Sequence, residues 1–483
     1  MRAAGLAAVC WLAVVVGCGD AIVDNQELAP LIGPSYGVEN DAPSVILISI
    51  DTLRADRLGC YGSPAPTSPT VDRFREGAVL FKWAIAQAPS TLPSHATMLT
   101  SLLPEHHGAF FARRAPLPAS IPTLATVLKA VGYRTAAFTG GGQIAPEFGL
   151  DRGFEIYGVN QGGADFQAAV EAGLEWLARD RQRPSFLFLH TYEVHHPYEP
   201  DLDLLAIFDN GYEGQLPPWV SKEDLERINR GEIAIDRSDL DHIIAAYDAE
   251  IRSVDEAFAV LLAGLEELGL AEDTLVIFTS DHGEELGEHG VVGWHSHTLY
   301  DELLRVPLVI RFPGGRHAGT TVGAQVRLLD LAPTVLGEIG LEVPAGFEGV
   351  DLTRVLTGLA TPLPAVSQLD LPFGENQISL RTARWKLYPR AAFAGDPFAD
   401  GPPPLAVRAR NFVERWRRPF ALFDLVADPG ETGDAVGAHE DVSDALRQTL
   451  GSLKTARRGP PVVPTVIVDA TTEERLRVLG YVE

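Results

Sequence analysis

Cysteine is scarce in this chain, with three in 483 residues. Cys10 and Cys18 fall in an N-terminal apolar segment, so Cys60 has no partner left for a disulfide. A disulfide framework is therefore excluded, and the fold must rest on a hydrophobic core. A content of 46% hydrophobic and 22% charged residues is typical of a globular protein.

Positively charged residues are also scarce. The chain has 39 Lys and Arg against 65 Asp and Glu, which gives a net charge of −26. Such a balance argues against nucleic acid as a partner. It does not exclude a small anionic substrate, since a bound metal and a helix N-terminus can set the local field.

Long apolar runs are missing except near the start, where residues 3–16 follow Arg2. This run is too short to span a bilayer and predicts the core of a signal peptide over residues 1–17. Residues 15–18 resemble a bacterial lipobox, which implies a lipid anchor on Cys18 and a place in a bacterial periplasm or at the cell surface. Residues 18–42 then form a flexible tether. The alternative is an ordinary secreted protein with an incidental cysteine.

Apolar runs of strand length alternate with amphipathic segments in the rest of the chain, which predicts an α/β fold with a largely parallel sheet. The predicted strands cover residues 45–50, 134–138, 185–190, 274–279 and 307–311, and the predicted helices cover residues 121–131, 164–180 and 251–268. The main domain is predicted over 43–352 and a smaller C-terminal subdomain over 353–483. Residues 201–237 are predicted to be an insertion or lid, and residues 473–481 a short docked helix.

Acidic and histidine side chains follow several of these strands, at the edge where α/β sheets bind ligands. Asp51 directly follows the first strand, and Asp281 and His282 follow another. A buried carboxylate is costly unless it meets a cation or hydrogen-bond donors. Carboxylate and neutral imidazole together suit a divalent transition metal, Zn²⁺ in particular. For Asp51 the alternative is a strand-end cap for a neighbouring helix.

Histidines add to this edge. His190, His195 and His196 cluster at and after one strand, and His295 and His297 come further along the chain. Such a cluster indicates metal ligands or acid–base groups. Of the later pair, His295 is the stronger candidate.

Thr91 and Ser90 are cap-type residues just before Pro93, which suits a first helical position. The N-terminus of a helix favours anions, so a hydroxyl there is well placed to attack an anionic ester. The alternative interpretation makes Thr91 only an N-cap.

Residues 88–100 resemble the signature of the sulfatase family, which belongs to the alkaline-phosphatase/sulfatase superfamily. Thr91 stands where that family has the Cys that becomes formylglycine, and His95 stands at its Arg. The resemblance continues through residues 280–284, 299–307, 329–334, 380–387 and 422–431. It implies a doubly wound, mostly parallel sheet flanked by helices, with a short antiparallel sheet in the C-terminal subdomain.

Three further departures accompany Thr91. Thr52 replaces the second Asp of the family's first motif, His282 replaces an Asn, and residues 139–143 lack the family's Lys and His. Because Thr cannot become formylglycine, none is expected here. The resulting set resembles the metal site of threonine-nucleophile relatives that use Zn²⁺ or Mn²⁺, and it consists of Asp51, Thr91, Asp281 and His282.

This resemblance implies a metal-dependent hydrolase of sulfuric or phosphoric esters in which Thr91 is the nucleophile. His195 or His196 would orient the ester or protonate the leaving oxygen, His295 would assist, and Arg54 would help to hold the anion. The substrate would be a small-molecule, glycan or lipid ester. The alternatives are a phosphoryl-group transferase of the same superfamily and an inactive sulfatase-like binding protein.

Overall fold

The computed structural model describes residues 11–14, 42–160, 165–209, 211–370, 377–389, 419–455 and 466–479. The strands are β1 Trp11–Val14, β2 Ser44–Ile50, β3 Val79–Ile85, β4 Arg134–Thr139, β5 Ile156–Asn160, β6 Ser185–Thr191, β7 Thr274–Ser280, β8 Glu285–Leu286, β9 Val292–Trp294, β10 Arg305–Val306, β11 Leu308–Arg311, β12 Thr321–Arg327, β13 Ala365–Leu369, β14 Gln377–Arg381, β15 Trp385–Pro389 and β16 Phe420–Asp424.

The helices are α1 Pro69–Phe74, α2 Thr91–Thr100, α3 Pro104–His107, α4 Leu124–Ala130, α5 Phe166–Ala178, α6 Leu202–Phe208, α7 Lys222–Asn229, α8 Arg237–Glu267, α9 Asp301–Leu304, α10 Leu331–Glu338, α11 Leu352–Leu356, α12 Glu440–Thr455 and α13 Ala470–Val478. Within these described segments, no helix is both long and apolar enough to cross a membrane.

A ten-stranded sheet forms the centre of the fold, in the order β1-β5-β4-β6-β2-β7-β11-β3-β10, with β12 beside β3. The run β5-β4-β6-β2-β7 is parallel throughout. β1, β10 and β11 pair antiparallel with their neighbours. The carboxyl ends of the five parallel strands therefore lie along one edge, and the α/β architecture predicted from the sequence is confirmed.

Apolar side chains cover both faces of this sheet. Along β2, Val45 and Leu47 pack into one core with α2, α4 and α10, whereas Ile46, Ile48 and Ile50 pack into a second core with α1, α5 and α8. Alternate residues of a strand point to opposite faces, so a strand covered on both sides is apolar throughout. This burial explains why β2 reads as a continuous apolar run.

The predicted strands all correspond to observed ones, with ends that differ by at most one residue. The predicted helix over 251–268 is the second half of the 31-residue α8, which ends before Gly269, where φ is 69°. Residues 201–237, predicted to be an insertion or lid, contain the two short helices α6 and α7.

A smaller antiparallel sheet, β13-β14-β15-β16, follows in the C-terminal part, as the family resemblance implied. The predicted terminal helix is α13, which begins three residues earlier than expected, and its last predicted residues, 480 and 481, lie outside the described residues. Cys18 also lies outside them. Part of the predicted signal segment, Trp11–Val14, pairs as β1 with β5.

Candidate functional site

Asp51 and Asp281 meet because their strands are neighbours. β2 and β7 are parallel, with Ile50 opposite Ser280, so the residue after each strand reaches the same point on the carboxyl edge. His282 follows directly. All three side chains are fully buried.

Each of these three residues has one polar atom without a hydrogen-bond partner among the described residues: Asp51 Oδ1, Asp281 Oδ2 and His282 Nε2. His282 Nε2 lies 3.4 Å from Asp281 Oδ2 and 3.9 Å from Asp51 Oδ1. Ligands at about 2.0–2.2 Å from a tetrahedral ion have similar separations. The three atoms therefore fit a divalent metal.

The other polar atom of each ligand is held in place. His282 Nδ1 donates to the Gly283 carbonyl at 2.9 Å, and Asp281 Oδ1 accepts from the His282 amide at 2.9 Å. His190 Nε2 lies 3.3 Å from Asp51 Oδ2, and its Nδ1 accepts from the Gly140 amide at 3.3 Å, so the ring proton is on Nε2. Such partners orient metal ligands and fix their tautomers.

Without a cation this arrangement is electrostatically unfavourable. Burial raises the pKa of Asp51 to about 7, with His282 opposing the rise. Burial and the neighbouring Asp51 likewise raise the pKa of Asp281. A buried carboxylate pair of this kind calls for a positive ion.

Thr91 begins α2 and is fully buried beside these carboxylates. Its hydroxyl hydrogen-bonds to Asp51, and its carbonyl accepts from His95 Nδ1 at 2.8 Å. The Leu92 amide donates to Gln143 Oε1 at 3.1 Å. The first turn of α2 is thus fixed against the sheet edge.

The interpretation of Thr91 as an N-cap is wrong. Ser90 holds the cap position, its side chain makes no capping hydrogen bond, and Pro93 is the third helical residue rather than the first. The Thr91 hydroxyl hydrogen-bonds to the Asp51 carboxylate.

A second cluster lies next to the first and consists of His195, His196 and His295, whose ligand nitrogens all lie within 4.8 Å of one another. The rings of His295 and His282 are 4.6 Å apart. Glu284 orients the cluster, because its Oε1 lies 2.9 Å from His295 Nδ1 and its Oε2 lies 3.6 Å from His196 Nδ1. This cluster could bind a cation or the oxygen atoms of an ester.

Comparison with known proteins agrees with this geometry. A sequence model of the sulfatase family matches residues 43–341.

The chain belongs to the sulfatase family.

The chain is 28% identical to an ulvan-active sulfatase of Formosa agariphila, over 83% of this chain and 78% of that protein. Among solved structures it resembles a protein in complex with its substrate D-glucosamine-2-N,6-O-disulfate, with a TM-score of 0.67, 20% identity and coverage of 86% and 98%. It also resembles the phosphonate monoester hydrolase of Agrobacterium radiobacter, with a TM-score of 0.66, 21% identity and coverage of 86% and 95%. Membership places the protein among the ester hydrolases of the alkaline-phosphatase/sulfatase superfamily.

Thr52, which the resemblance aligned with the second aspartate of the family motif, makes its hydrogen bonds with neighbouring segments. Its hydroxyl donates to the Val194 carbonyl at 3.0 Å, and its amide lies 3.4 Å from Asp281 Oδ1. Thr52 therefore ties the ligand-bearing turn to the segment that carries the histidines.

Arg54 does not face the metal site. Its guanidinium pairs with Asp56 and Glu288, both at 2.7 Å, and donates to the Glu284 carbonyl at 3.0 Å. The guanidinium N–H groups that were expected to bind an anionic ester are therefore already hydrogen-bonded within the protein. The expected anion-holding role of Arg54 has no support in this geometry.

The remaining candidate residues lie partly inside and partly outside the histidine cluster. His297 pairs with Glu285, outside the histidine cluster, whereas His295 is inside it, as the sequence favoured. Glu193, two residues before His195, accepts from the Ser253 hydroxyl and the Phe166 amide.

Sequence reasoning named His190 as a possible ligand or acid–base group but not as the partner of Asp51, and it missed Glu284 behind the histidines and Gln143 at the start of α2. His190 and Glu284 lie inside motifs that were noticed. Only the strand order of the sheet reveals what they contact.

Proposed function

We propose that this protein is a metal-dependent hydrolase of sulfuric or phosphoric esters that uses the unmodified Thr91 hydroxyl as its nucleophile. The observation that carries the proposal is the convergence of three unpartnered buried ligand atoms, on Asp51, Asp281 and His282, beside a threonine hydroxyl that hydrogen-bonds to one of them. Phosphoesters are expected to be better substrates than sulfate esters.

The metal is expected to be Zn²⁺ or Mn²⁺. An imidazole nitrogen is a good ligand for these ions and a poor one for Ca²⁺, which takes oxygen ligands. When bound, such an ion would offset the charge of the ester and lower the pKa of a coordinated hydroxyl. His282 is thus the residue that selects the ion.

The chemical step needs three groups. The Thr91 oxygen bonds to phosphorus or sulfur as its hydroxyl proton passes to the hydrogen-bonded Asp51 carboxylate, and the bond from phosphorus or sulfur to the leaving oxygen breaks. The leaving oxygen takes a proton from the side of the histidine cluster, where His196 has two buried ring nitrogens without a described hydrogen-bond partner. Water then cleaves the Thr91 ester and restores the hydroxyl.

An inactive binding protein is less consistent with the geometry. A scaffold that lost its chemistry has no need to keep three unpaired ligand atoms buried, because each one destabilises the metal-free fold. The hydrolase and transferase alternatives differ only in whether water or an alcohol attacks the Thr91 ester.

The test combines metal analysis with a panel of sulfate esters, phosphomonoesters and phosphodiesters. Purified wild type is expected to hold stoichiometric Zn²⁺ or Mn²⁺ and an unmodified Thr91 by mass spectrometry. Thr91→Ala should lose turnover, while Thr91→Ser retains part of it. Thr100→Ala is a matched control, since that hydroxyl donates to the Ala96 carbonyl in the same helix. Undiminished turnover in Thr91→Ala would overturn the proposal.

We further propose that the mature protein begins at a lipid-modified Cys18 and faces a bacterial periplasm or the cell surface. The support is the short apolar core that ends in residues 15–18. Mass spectrometry of the mature N-terminus tests this, and an unmodified start downstream of Cys18 would contradict it.

A further inference from the structure

Residues 140–145, which follow β4, include no cationic side chain, yet an arginine from the far end of the chain reaches them. A Cβ added to Gly141 would lie 3.2 Å from Cδ and 3.4 Å from Nε of Arg475, which belongs to α13. Gly141 also has φ of 70°, a conformation that favours glycine. The glycine thus admits the arginine side chain against the loop.

The guanidinium of Arg475 is only partly used. Its Nη1 donates to the Asn160 carbonyl at 2.6 Å, whereas Nε and Nη2 are buried and have no hydrogen-bond partner in the described part of the chain. Among the described residues Arg475 also has no ion pair with a carboxylate, and burial lowers its pKa. An uncompensated buried charge is strongly destabilising, and Arg stays charged in proteins. Nε and Nη2 form one edge of the guanidinium, which is the fork that binds an oxyanion through two hydrogen bonds.

Arg475 contacts the sheet at the same carboxyl edge as the proposed metal site. Asn160 ends β5 and Gly141 follows β4. In the order β5-β4-β6-β2, β4 is two strands away from β2, which Asp51 follows. At a strand spacing of about 4.8 Å, the loop is about 10 Å from Asp51.

A chain of hydrogen bonds connects Gly141, beside Arg475, to the start of α2, beside Thr91. The Tyr192 hydroxyl donates to the Gly141 carbonyl at 3.0 Å and accepts from the Gln143 amide at 3.1 Å. Gln143 in turn accepts from the Leu92 amide, next to Thr91.

We propose that Arg475 is an oxyanion-binding residue that holds a second acidic group of the substrate, a sulfate, phosphate or carboxylate, beside the ester that is cleaved. The inference rests on the proposed function and adds a substrate class to it, namely esters with at least two anionic groups. The burial of Nε and Nη2 does not set Arg475 apart, because Asp51, Asp281 and Thr91, where the ester would be cleaved, are also fully buried.

Arg477 provides a matched control on the same helix, because it is exposed and pairs with Glu474. The experiment titrates inorganic sulfate and phosphate into wild type, Arg475→Ala, Arg475→Lys and Arg477→Ala by calorimetry. We expect Arg475→Ala to bind the anions about ten-fold or more weakly, since charge-assisted hydrogen bonds are lost. Arg475→Lys should fall between, because it keeps the charge without the fork, and it also serves if Arg475→Ala does not fold. Arg477→Ala should match wild type.

A second arm separates the two possible sources of the oxyanion. In Asp281→Ala, which should lack the metal, anion binding that still depends on Arg475 supports a separate site for a second acidic group. Binding that disappears with the metal overturns that site in favour of the oxyanion of the ester itself. Equal affinities in wild type and Arg475→Ala, or no saturable binding to wild type, overturn the proposal. Wild type without metal would instead refute the proposed function, and the Arg475 titration would still be interpretable.

Discussion

Replacing Asp51 by Asn should change stability in opposite directions with and without metal. In the metal-free protein, Asp51 is a buried carboxylate next to Asp281, and its pKa is raised from 3.8 to about 7. The Asp51→Asn variant cannot acquire that charge and also cannot be an anionic ligand. Metal-free variant protein should therefore be more stable than metal-free wild type, and metal-loaded variant should be less stable.

The size of the effect follows from the pKa. A folded-state pKa above the unfolded value opposes ionisation, so the penalty is absent below about pH 4, grows as the pH rises and is complete above about pH 7. Three pKa units correspond to about 4 kcal/mol as an upper bound, because Asp281 shares the penalty. A metal ion at a free concentration about a thousand times its Kd would stabilise wild type by about 4 kcal/mol, and the variant should lose that stabilisation.

The assay is thermal unfolding of both proteins in EDTA and in Zn²⁺, at about pH 8 and about pH 5. Asp255→Asn is the control, since Asp255 is also buried but accepts from the Thr70 and Val71 amides, away from the site. The control should be destabilised equally in both buffers. If Asp51→Asn lowers the Tm in EDTA, or keeps the full response to Zn²⁺, the reasoning about the site is wrong.

Three further predictions concern residues that support the site or the fold. His190→Ala should weaken metal affinity about 10- to 100-fold in competition with a chelating dye, because it removes the hydrogen bond that orients Asp51, and unchanged affinity would contradict that role. Glu284→Gln should lower kcat while metal content stays constant, since His196 and His295 lose their orienting charge; loss of metal would instead make Glu284 part of the metal site. Burial disfavours the charged form of His289, but the neighbouring Glu302 outweighs burial and raises the pKa of His289. The pairing of His289 with Glu302 therefore stabilises the fold fully below the unfolded pKa of His289, and this stabilisation is lost as the pH rises through the folded pKa. The Tm advantage of wild type over His289→Ala should therefore shrink as the pH rises above about 6.5, the unfolded pKa of histidine, and a constant difference would refute the coupling.

The sequence predicted the fold and the meeting of three candidate metal ligands for the same reason. A strand covered on both faces is apolar along its length, so a polar residue directly after it is conspicuous, and Asp51, Asp281 and His282 all stand in that position. Parallel neighbours bring such residues to one edge, so local patterns sufficed to identify them.

Other features depend on contacts distant in sequence. Arg54 looked available for an anion, but Glu288, more than two hundred residues away, occupies it. Arg475 showed no signal, because its significance comes only from the place where α13 docks beside Gly141. The capping role of Thr91 was a fair prediction from residue type, and the position of Ser90 one residue earlier overrode it.

The substitutions at positions 91 and 282 are chemically consistent with each other under the proposed mechanism. A threonine hydroxyl is a weak nucleophile at neutral pH and needs a strong Lewis acid or a base nearby. Replacing the amide of the family's Asn with the imidazole of His282 favours a Zn²⁺-type ion over Ca²⁺, and that ion lowers the pKa of an oxygen ligand far more. The hydrogen bond between Thr91 and Asp51 places the hydroxyl where that effect would be felt. A chain that had only lost its cysteine would have had no reason to change position 282 as well, so the pair of substitutions favours altered chemistry over lost activity.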